Sequence, residues 1–369
     1  MLSWIDDPSA IQVLLATATR FRTAGIRKLA DECVREVAQR RGWTVDELAD
    51  RTIPTAELDE DGHLELSYGS RTFRAKLGDD LSLALETEDG KALSSLPEPR
   101  QDDNKEAAAL AKQTLSQAKK QLKVIAKQQR DRLYEAMCTQ RHFRHADWAT
   151  HLARHPVVGR LVQRVIWTTL GDNGRTFRPL GDGTLTGPDD DPVTLDSDVE
   201  IGVAHTSLVP PDMASRWLKH LADYEVEPLF NQLGRTAYAL PDAAREETAL
   251  RDFEGHIVEA FKLRGRATKL GYVRGETGDG GWFHEYVKQL PGLGLSVVIE
   301  FTGNGLPEEN RKVGLVALHF RRAVPQGGAD DVPLGEVPAV LLAESWNDIG
   351  DIAADGPGYD PDWQKSTEP

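Results

Sequence analysis

The residues best suited to acid–base chemistry lie past the middle of the chain: His205, Tyr224, Glu225, Gln232 and Arg235. An imidazole exchanges protons near neutral pH, and a guanidinium holds an anion through paired hydrogen bonds. These residues define a candidate enzyme site in the 200–300 region, with His205 as general base and Arg235 as anion clamp. The alternative is a packed histidine at a strand end and a solvated arginine, and we favour that alternative.

Histidines and arginines alternate in one short stretch, at His142, His145, His151, His155, Arg141, Arg144 and Arg154. His151 and His155 are four residues apart on a predicted helix, a spacing that lets two imidazoles share a metal ion. The metalloprotease pattern requires Glu directly after the first histidine, where this chain has Leu152. Because the arginines would also repel a cation, we predict polar helix faces and no metal site.

The glycine-rich segment 275–281 resembles a phosphate-binding loop only in composition. It lacks a following Lys-Ser or Lys-Thr, it precedes a predicted strand, and Glu276 and Asp279 would repel a phosphate. We predict a hairpin loop there. The acidic run from 189 to 198 lacks the spacing of a calcium loop and is interpreted as turns.

Signatures of other enzyme classes are missing from the sequence. The chain contains no G-x-S-x-G elbow, no protein-kinase motif set and no dinucleotide-binding fingerprint. We therefore predict no cofactor and favour a protein that is not an enzyme.

Charge is distributed unevenly along the chain. The whole chain has a formal net charge of −15, which disfavours a general affinity for nucleic acid or anionic membranes. Residues 105–164, however, contain thirteen Lys or Arg against four Asp or Glu. Five of these cations share much of one side of a predicted helix: Lys112, Lys119, Lys123, Lys127 and Arg130. Like charges at this spacing repel one another, so something acidic is expected to offset them.

Three surroundings would satisfy these cations: solvent, an acidic surface of the same chain, or an external acidic partner. The first two are the commoner outcome. Among external partners we favour a protein, such as a helical-repeat protein, over nucleic acid. Few aromatic residues, among them Tyr134 and Phe143, are available nearby to stack on bases, which disfavours binding to single strands.

The sequence predicts a cytoplasmic protein. No window approaches the ~20 apolar residues of a membrane span, and the first ten residues include two acids and no basic residue. The two cysteines, Cys33 and Cys138, are too isolated for a zinc site or a disulfide scaffold and are expected to be small buried side chains in a reducing compartment.

Periodicity predicts the elements that carry these residues. A helical segment covers 1–55, in which Thr44 and Glu47 can form a capping box, and a small three-stranded meander lies within 56–94. A helical block, 104–170, begins with the long basic helix, which Asp103 can cap. An α+β module, 175–352, and a flexible tail, 353–369, complete the predicted organisation.

Helical periods are predicted at 157–170 and 253–271, and strands at 282–290, 293–301 and 312–320. Helices and strands are segregated and do not alternate as βαβ units, so the fold class is α+β. We predict a helical N-terminal segment, a small antiparallel meander, a long-helix block and then an antiparallel sheet with flanking helices. The opening helices can be the end of a repeat array.

Five segments, in order, resemble the C-terminal domain of unknown function 4132 of MolR-type bacterial proteins, which are associated with a WGR module: LADRTIPTAELDEDGHLELSYGSRTFRAKL, RHPVVGRLVQRVIW, GVAHTSLV, LADYEVEPLFNQLGR and LGEVPAVLLAESWNDI. The resemblance implies larger relatives in which helical repeats precede this domain, one of them named as a regulator of molybdate metabolism. It implies no reaction.

The expected function is that of a non-enzymatic intracellular bacterial interaction or regulatory module related to MolR-type proteins. Two alternatives stay open. One is an uncharacterised enzyme with its site in the 200–300 region, and the other is a nucleic-acid-associated regulator that uses the basic helix.

Overall fold

The structure is a computed structural model that describes residues 7–20, 23–171, 174–305, 309–324 and 328–367. Within these residues the α-helices are α1 Pro8–Arg20, α2 Ala24–Arg41, α3 Val45–Arg51, α4 Lys105–Cys138, α5 His145–Trp148, α6 Val158–Val162, α7 Pro211–Asp223, α8 Ala260–Lys269, α9 Ala339–Ala354 and α10 Trp363–Ser366. The strands are β1 His63–Ser67, β2 Thr72–Leu77, β3 Leu83–Thr87, β4 Ala92–Leu93, β5 Phe143–Arg144, β6 Trp167–Thr169, β7 Thr176–Pro179, β8 Leu185–Thr186, β9 Pro192–Val193, β10 Glu200–Val203, β11 Ala249–Leu250, β12 His256–Glu259, β13 Val273–Arg274, β14 Phe283–Leu290, β15 Leu295–Asn304, β16 Lys312–Ala323, β17 Ala329–Asp331 and β18 Gly358–Tyr359.

The chain forms two compact units. The first comprises Met1–Leu133, His142–Gly202 and His220–Phe230, and the second comprises Tyr134–Arg141, Val203–Lys219 and Asn231–Pro369. Both units are assembled from segments that are far apart in sequence.

The first unit opens with helices α1 to α3. Gly42 ends α2 in the left-handed region, with φ 69°, a conformation that favours glycine. The predicted capping box of α3 is confirmed, because the Glu47 amide donates to Thr44 Oγ1 at 3.1 Å and the Thr44 amide donates to Glu47 Oε2 at 2.8 Å. The helices share a buried core that includes Ile11, Leu14, Val34, Val37 and Leu48.

The predicted meander follows in the same unit. Strands β1, β2 and β3 pair antiparallel in sequence order, and alternate residues of β1 and β2 are buried. The short β4 adds a fourth strand that the sequence did not predict. A two-residue strand carries too little periodicity to be recognised.

The long basic helix is present as α4, but its cap differs from the predicted one. Asn104, not Asp103, accepts the free amides of the first turn, those of Glu106 at 2.9 Å and Ala107 at 3.1 Å. The Asp103 carboxylate is buried and instead receives the guanidinium of Arg71, with Nη2 at 2.7 Å. The helix buries one face, which contains Ala111, Leu115, Ala118, Leu122 and Ile125.

Two predicted helices are partly strand. The 157–170 segment is helical only as far as Val162, and Trp167–Thr169 forms β6, which pairs with β7. In the same way the 253–271 segment begins with β12 and turns helical only at Ala260. A short apolar run is compatible with both the helical repeat and the strand repeat of hydrophobic residues. Here each run pairs with a neighbouring strand, and this pairing fixes it as a β-strand.

The second unit is built on a larger sheet. The three predicted strands are confirmed as β14, β15 and β16, which pair antiparallel in sequence order. The sheet order is β13-β14-β15-β16-β12-β18, and β11 and β17 also pair with β16. One of the predicted flanking helices is α9, most of whose residues are buried.

The segment predicted as a flexible tail contains ordered elements in the structure. Residues 353–354 still belong to α9, Gly358–Tyr359 pairs with β12 as β18, and Trp363–Ser366 forms α10. A Cβ atom at Gly255 would lie 2.7 Å from Trp363 Cδ1, so the absence of a side chain there makes room for the indole. The sequence alone gives no sign of this distant fit.

The α+β fold class is therefore confirmed, with antiparallel pairing in a meander, a six-stranded sheet of order β5-β10-β6-β7-β8-β9, and the sheet of the second unit. Across the described ranges, every helix is too short or too polar to span a membrane.

Candidate functional site

Carboxylates line one side of α9 in the second unit. Glu344, Asp348 and Asp351 are spaced at i, i+4 and i+7, which places them on one helix face. The side chains of Glu344 and Asp348 are only 2% and 1% exposed. Two buried carboxylates one turn apart are unfavourable unless cations and hydrogen bonds neutralise them.

Arg235 supplies the first cation. Its Nη1 lies 2.9 Å from Glu344 Oε2 and 3.0 Å from Asp348 Oδ1, and its Nη2 lies 2.7 Å from Asp351 Oδ2. Burial disfavours the charged guanidinium, but the charges of Glu344 and Asp348 outweigh it and raise the pKa of Arg235 above its usual value. Arg235 is thus a permanent cation that joins two turns of α9.

Lys288 on β14 supplies the second cation. Its ammonium lies 3.2 Å from Asp348 Oδ2 and above the rings of Tyr134 and Tyr272, at 4.8 and 5.2 Å from their centroids. The Tyr134 hydroxyl donates to Glu344 at 2.9 Å and the Tyr272 hydroxyl donates to Asp348 at 3.2 Å. Burial and the neighbouring carboxylates raise the pKa of both phenols well above the usual range.

His205 completes this cluster at the other oxygen of Glu344. The Ser207 amide donates to His205 Nδ1 at 3.1 Å, so the ring proton lies on Nε2, which donates to Glu344 Oε1 at 3.4 Å. Burial alone would raise the pKa of Glu344, but hydrogen bonds from His205 and Tyr134 and the charge of Arg235 outweigh it and lower that pKa. Glu344 therefore stays ionised.

We call these six residues the buried ionic cluster: Tyr134, His205, Arg235, Lys288, Glu344 and Asp348. The cluster is a neutralised network whose ionised and hydroxyl groups bind one another. Ser207 Oγ is buried and has no hydrogen-bond partner among the described residues, but it cannot form a catalytic triad with His205, because both ring nitrogens are already engaged. Burial raises the pKa of the nearby Cys138 thiol to about 12, so this thiol is no nucleophile at neutral pH.

Three of the five predicted site residues come together in the second unit. His205 and Arg235 bind the same carboxylate, and Gln232 braces the His205 loop by donating from Nε2 to the Ala204 carbonyl at 2.8 Å. The main-chain carbonyl of Gln232 accepts a hydrogen bond from the Thr206 amide at 2.9 Å. Glu344, Asp348 and Lys288 were not among the predicted site residues. The only sequence signal for Glu344 and Asp348 is the spacing of acids on a largely apolar helix, and Lys288 on β14 has no such signal.

Tyr224 and Glu225 lie elsewhere, in the first unit. Tyr224 is 53% exposed and its ring lies 4.7 Å from that of His220. Glu225 adopts φ 53° at the turn that ends α7. Neither residue belongs to the buried ionic cluster.

His220 belongs to a smaller polar group that the sequence reasoning also missed. Arg178 Nε donates to His220 Nε2 at 3.3 Å, and His220 Nδ1 lies 3.4 Å from Asp190 Oδ1. Burial and the Arg178 charge lower the pKa of His220. The sequence around Arg178, RTFRPL, is not markedly apolar and gives no signal of this group.

The histidines of the 142–155 stretch serve separate local roles. His155 Nδ1 accepts the Val157 and Val158 amides at 3.1 and 3.2 Å, and its Nε2 donates to the Ile53 carbonyl at 3.2 Å. His142 lies 3.5 Å from Glu200. No group of three or more potential metal ligands gathers anywhere in the described residues.

The predicted hairpin loop at 275–281 is confirmed, because β13 and β14 pair antiparallel on either side of it. The Gly275 amide donates to the Glu285 carbonyl at 2.8 Å. The backbone there closes the hairpin.

The predicted basic residues of α4 differ in their surroundings. Lys112 pairs with Glu98 at 3.0 Å, Lys127 pairs with Asp131 at 3.2 Å, and Arg130 Nε donates to the Leu229 carbonyl at 3.2 Å. Lys119 and Lys123 are exposed, and no described carboxylate lies within 4.0 Å of their ammonium groups. The lysine face, which we define as Lys119, Lys120, Lys123 and Lys127, is therefore turned to solvent.

Comparison with known proteins found one matching family model and one similar curated protein. Residues 90–272 match the family model "Domain of unknown function (DUF4132)", which confirms the resemblance to that domain, but not the MolR-type or WGR association, over those residues. The chain is 29% identical over 274 residues to "Uncharacterized protein YehI" of Escherichia coli (strain K12), an alignment that covers 73% of this chain and 23% of that protein. The chain thus spans less than a quarter of that relative's length. No solved structure matches.

Proposed function

We propose that this chain is a non-enzymatic interaction module that binds an acidic protein partner through the lysine face of α4. The observation that carries the proposal is the exposure of Lys119 and Lys123, with no described carboxylate to neutralise them. Burying or pairing such cations against a partner would remove their mutual repulsion. A cytoplasmic regulatory role related to that of MolR-type proteins is part of this proposal.

The geometry of the buried ionic cluster supports a binding function over catalysis. His205 is fully buried, and its two nitrogens bind the Ser207 amide and Glu344. A general base must reach the proton that it removes, and this imidazole faces its own chain. Arg235, the predicted anion clamp, is already bound by three carboxylates.

The surroundings of the lysine face favour a protein over nucleic acid. The chain as a whole has a net charge of −15, which at long range repels nucleic acid, charged along its whole length, more than a protein whose acids are confined to one surface. On the same helix Leu110 and Val124 are 63% and 55% exposed, and exposed apolar side chains bind protein surfaces better than phosphates.

The test is capture of partners by the tagged chain, with and without nuclease, combined with chemical cross-linking from α4. The variant Lys119→Glu/Lys123→Glu/Lys127→Glu should lose the captured protein, and cross-links from the unaltered chain should join α4 to acidic segments of that protein. The control Lys28→Glu/Lys91→Glu/Lys269→Glu changes the net charge equally at exposed sites elsewhere and should retain it.

Two results would overturn the proposal. One is equal capture by the two triple variants. The other is recovery of nucleic acid alone, lost on nuclease treatment and on reversal of the three α4 charges, which would establish the nucleic-acid alternative.

A further inference from the structure

The solvent side of α4 carries a second stripe of residues, with an exposed apolar side chain at each end. Leu110, Gln117 and Val124 are spaced by seven residues, so they lie nearly in line along the helix. The side chains of Leu110 and Val124 are 63% and 55% exposed, although both are large and apolar. The opposite side of α4, with Ala111, Leu115, Ala118 and Leu122, is already buried.

Cations lie along one flank of this stripe. Lys120, Lys123 and Lys127 are exposed and follow one another at spacings of three and four residues, as do residues on one side of a helix. The rise from Lys120 to Lys127 is about 10 Å, or two helical turns. This surface therefore combines two exposed apolar side chains, Leu110 and Val124, with a row of positive charge beside them.

The backbone of α4 restricts the conformation of a partner on this surface. Its amide and carbonyl groups are used within the helix, so α4 offers no free edge for pairing with an extended strand. A segment that packs on it must satisfy its own backbone hydrogen bonds, which an α-helix does. A helix also presents apolar residues and charges at the matching spacing of three and four.

We infer that the occupant of this surface is an acidic amphipathic α-helix of a partner protein that lies along α4. Its apolar residues contact Leu110 and Val124, and Asp or Glu residues one or two turns apart along one flank pair with Lys120, Lys123 and Lys127. This inference rests on the proposed function, and it adds the conformation and the residue pattern of the partner.

The experiment measures binding of the full chain to labelled synthetic 21-residue peptides by fluorescence anisotropy. The probe has Leu at heptad positions a and d and Glu at e and g, the pattern that pairs helices through apolar seams and flanking charges. Comparison peptides have the same composition in scrambled order, a central proline that breaks the helix, or Lys in place of Glu.

We expect the acidic helical probe to bind and to gain helicity in circular dichroism, and the three comparison peptides to bind at least about tenfold more weakly. The variants Leu110→Ser/Val124→Ser and Lys120→Glu/Lys123→Glu/Lys127→Glu should each weaken binding by a similar factor. Both variants change exposed side chains, so their folding is expected to be unaffected.

Equal binding of the scrambled peptide, or of the proline peptide, would overturn the inference that the partner segment is an α-helix. It would leave intact the proposal that the partner is acidic. Absence of binding by the helical probe would also overturn the inference. The proposed function is overturned by a different result. That result is equal capture of the partner protein by the Lys119→Glu/Lys123→Glu/Lys127→Glu variant and by its control, Lys28→Glu/Lys91→Glu/Lys269→Glu.

Discussion

Nη1 of Arg235 lies 2.9 Å from Oε2 of Glu344, and this contact joins a loop to a helix 109 residues later in the chain. The Arg235 side chain is 12% exposed and the Glu344 side chain 2%, so water screens the pair little. In such a site the loss of one charge costs more than the pair contributes, since the other charge stays buried without its partner.

We therefore predict that Arg235→Met lowers the free energy of unfolding by about 3–5 kcal/mol. The measurement is urea unfolding followed by tryptophan fluorescence. The control is Arg322→Met, which breaks the exposed pair with Glu336 and should cost less than about 1 kcal/mol. Similar losses in the two variants would show that the cluster does not stabilise the second unit.

Stability should fall as the pH is lowered from about 7.5 to about 5, where histidines titrate. Burial lowers the pKa of His155, and burial with the Arg178 charge lowers that of His220. A lowered pKa means that the unfolded chain binds protons first, near pH 6.5, so acid favours unfolding until the folded pKa is reached.

Urea unfolding at a series of pH values measures this slope. His155→Gln should reduce it, because the variant removes one of the two imidazoles whose pKa is lowered in the folded state. The control Gln113→Ala changes an exposed side chain that does not titrate, and it should leave the slope unchanged. A slope of the opposite sign in the unaltered chain would contradict the assignment of neutral His155 and His220 in the folded state.

The two thiols should differ sharply in reactivity. Cys138 is fully buried and burial raises its pKa to about 12, whereas Cys33 is half-buried. Because the thiolate is the reactive form, one thiol per chain should react with Ellman's reagent in the native protein and two in denaturant. Cys33→Ser should abolish the native reaction. Rapid native labelling of that variant would mean that Cys138 is exposed.

The C-terminal segment should be protected from hydrogen exchange up to Asp360, whose amide donates to the Gly255 carbonyl at 3.0 Å. Trp363→Ala removes the indole that packs over Gly255 and Gly314 and should speed exchange of this amide. The change should cost about 2 kcal/mol, less than for a fully buried tryptophan, because Trp363 is half-buried. Lys365→Ala, on the exposed side of α10, should have no effect.

Local sequence patterns determined several features of this fold. The reciprocal bonds of Thr44 and Glu47, the alternating strands β14 to β16 and the apolar stripe inside α4 depend on residues a few positions apart, so a reader of the sequence can predict them. The same patterns were ambiguous at Trp167–Thr169 and His256–Glu259, where pairing with β7 and with β16 and β18 decided for strand.

The sequence by itself determined the charge and spacing of the lysine face, because one helix carries all of it. Only the tertiary structure decided the fate of the candidate site. His205 and Glu344 are 139 residues apart, and their contact depends on how distant elements fold together, which local periodicity does not encode. Tyr224 and Glu225 lie in the first unit and His205 in the second. In the folded chain His205 and Arg235 belong to the buried ionic cluster, in which the opposite charges neutralise one another.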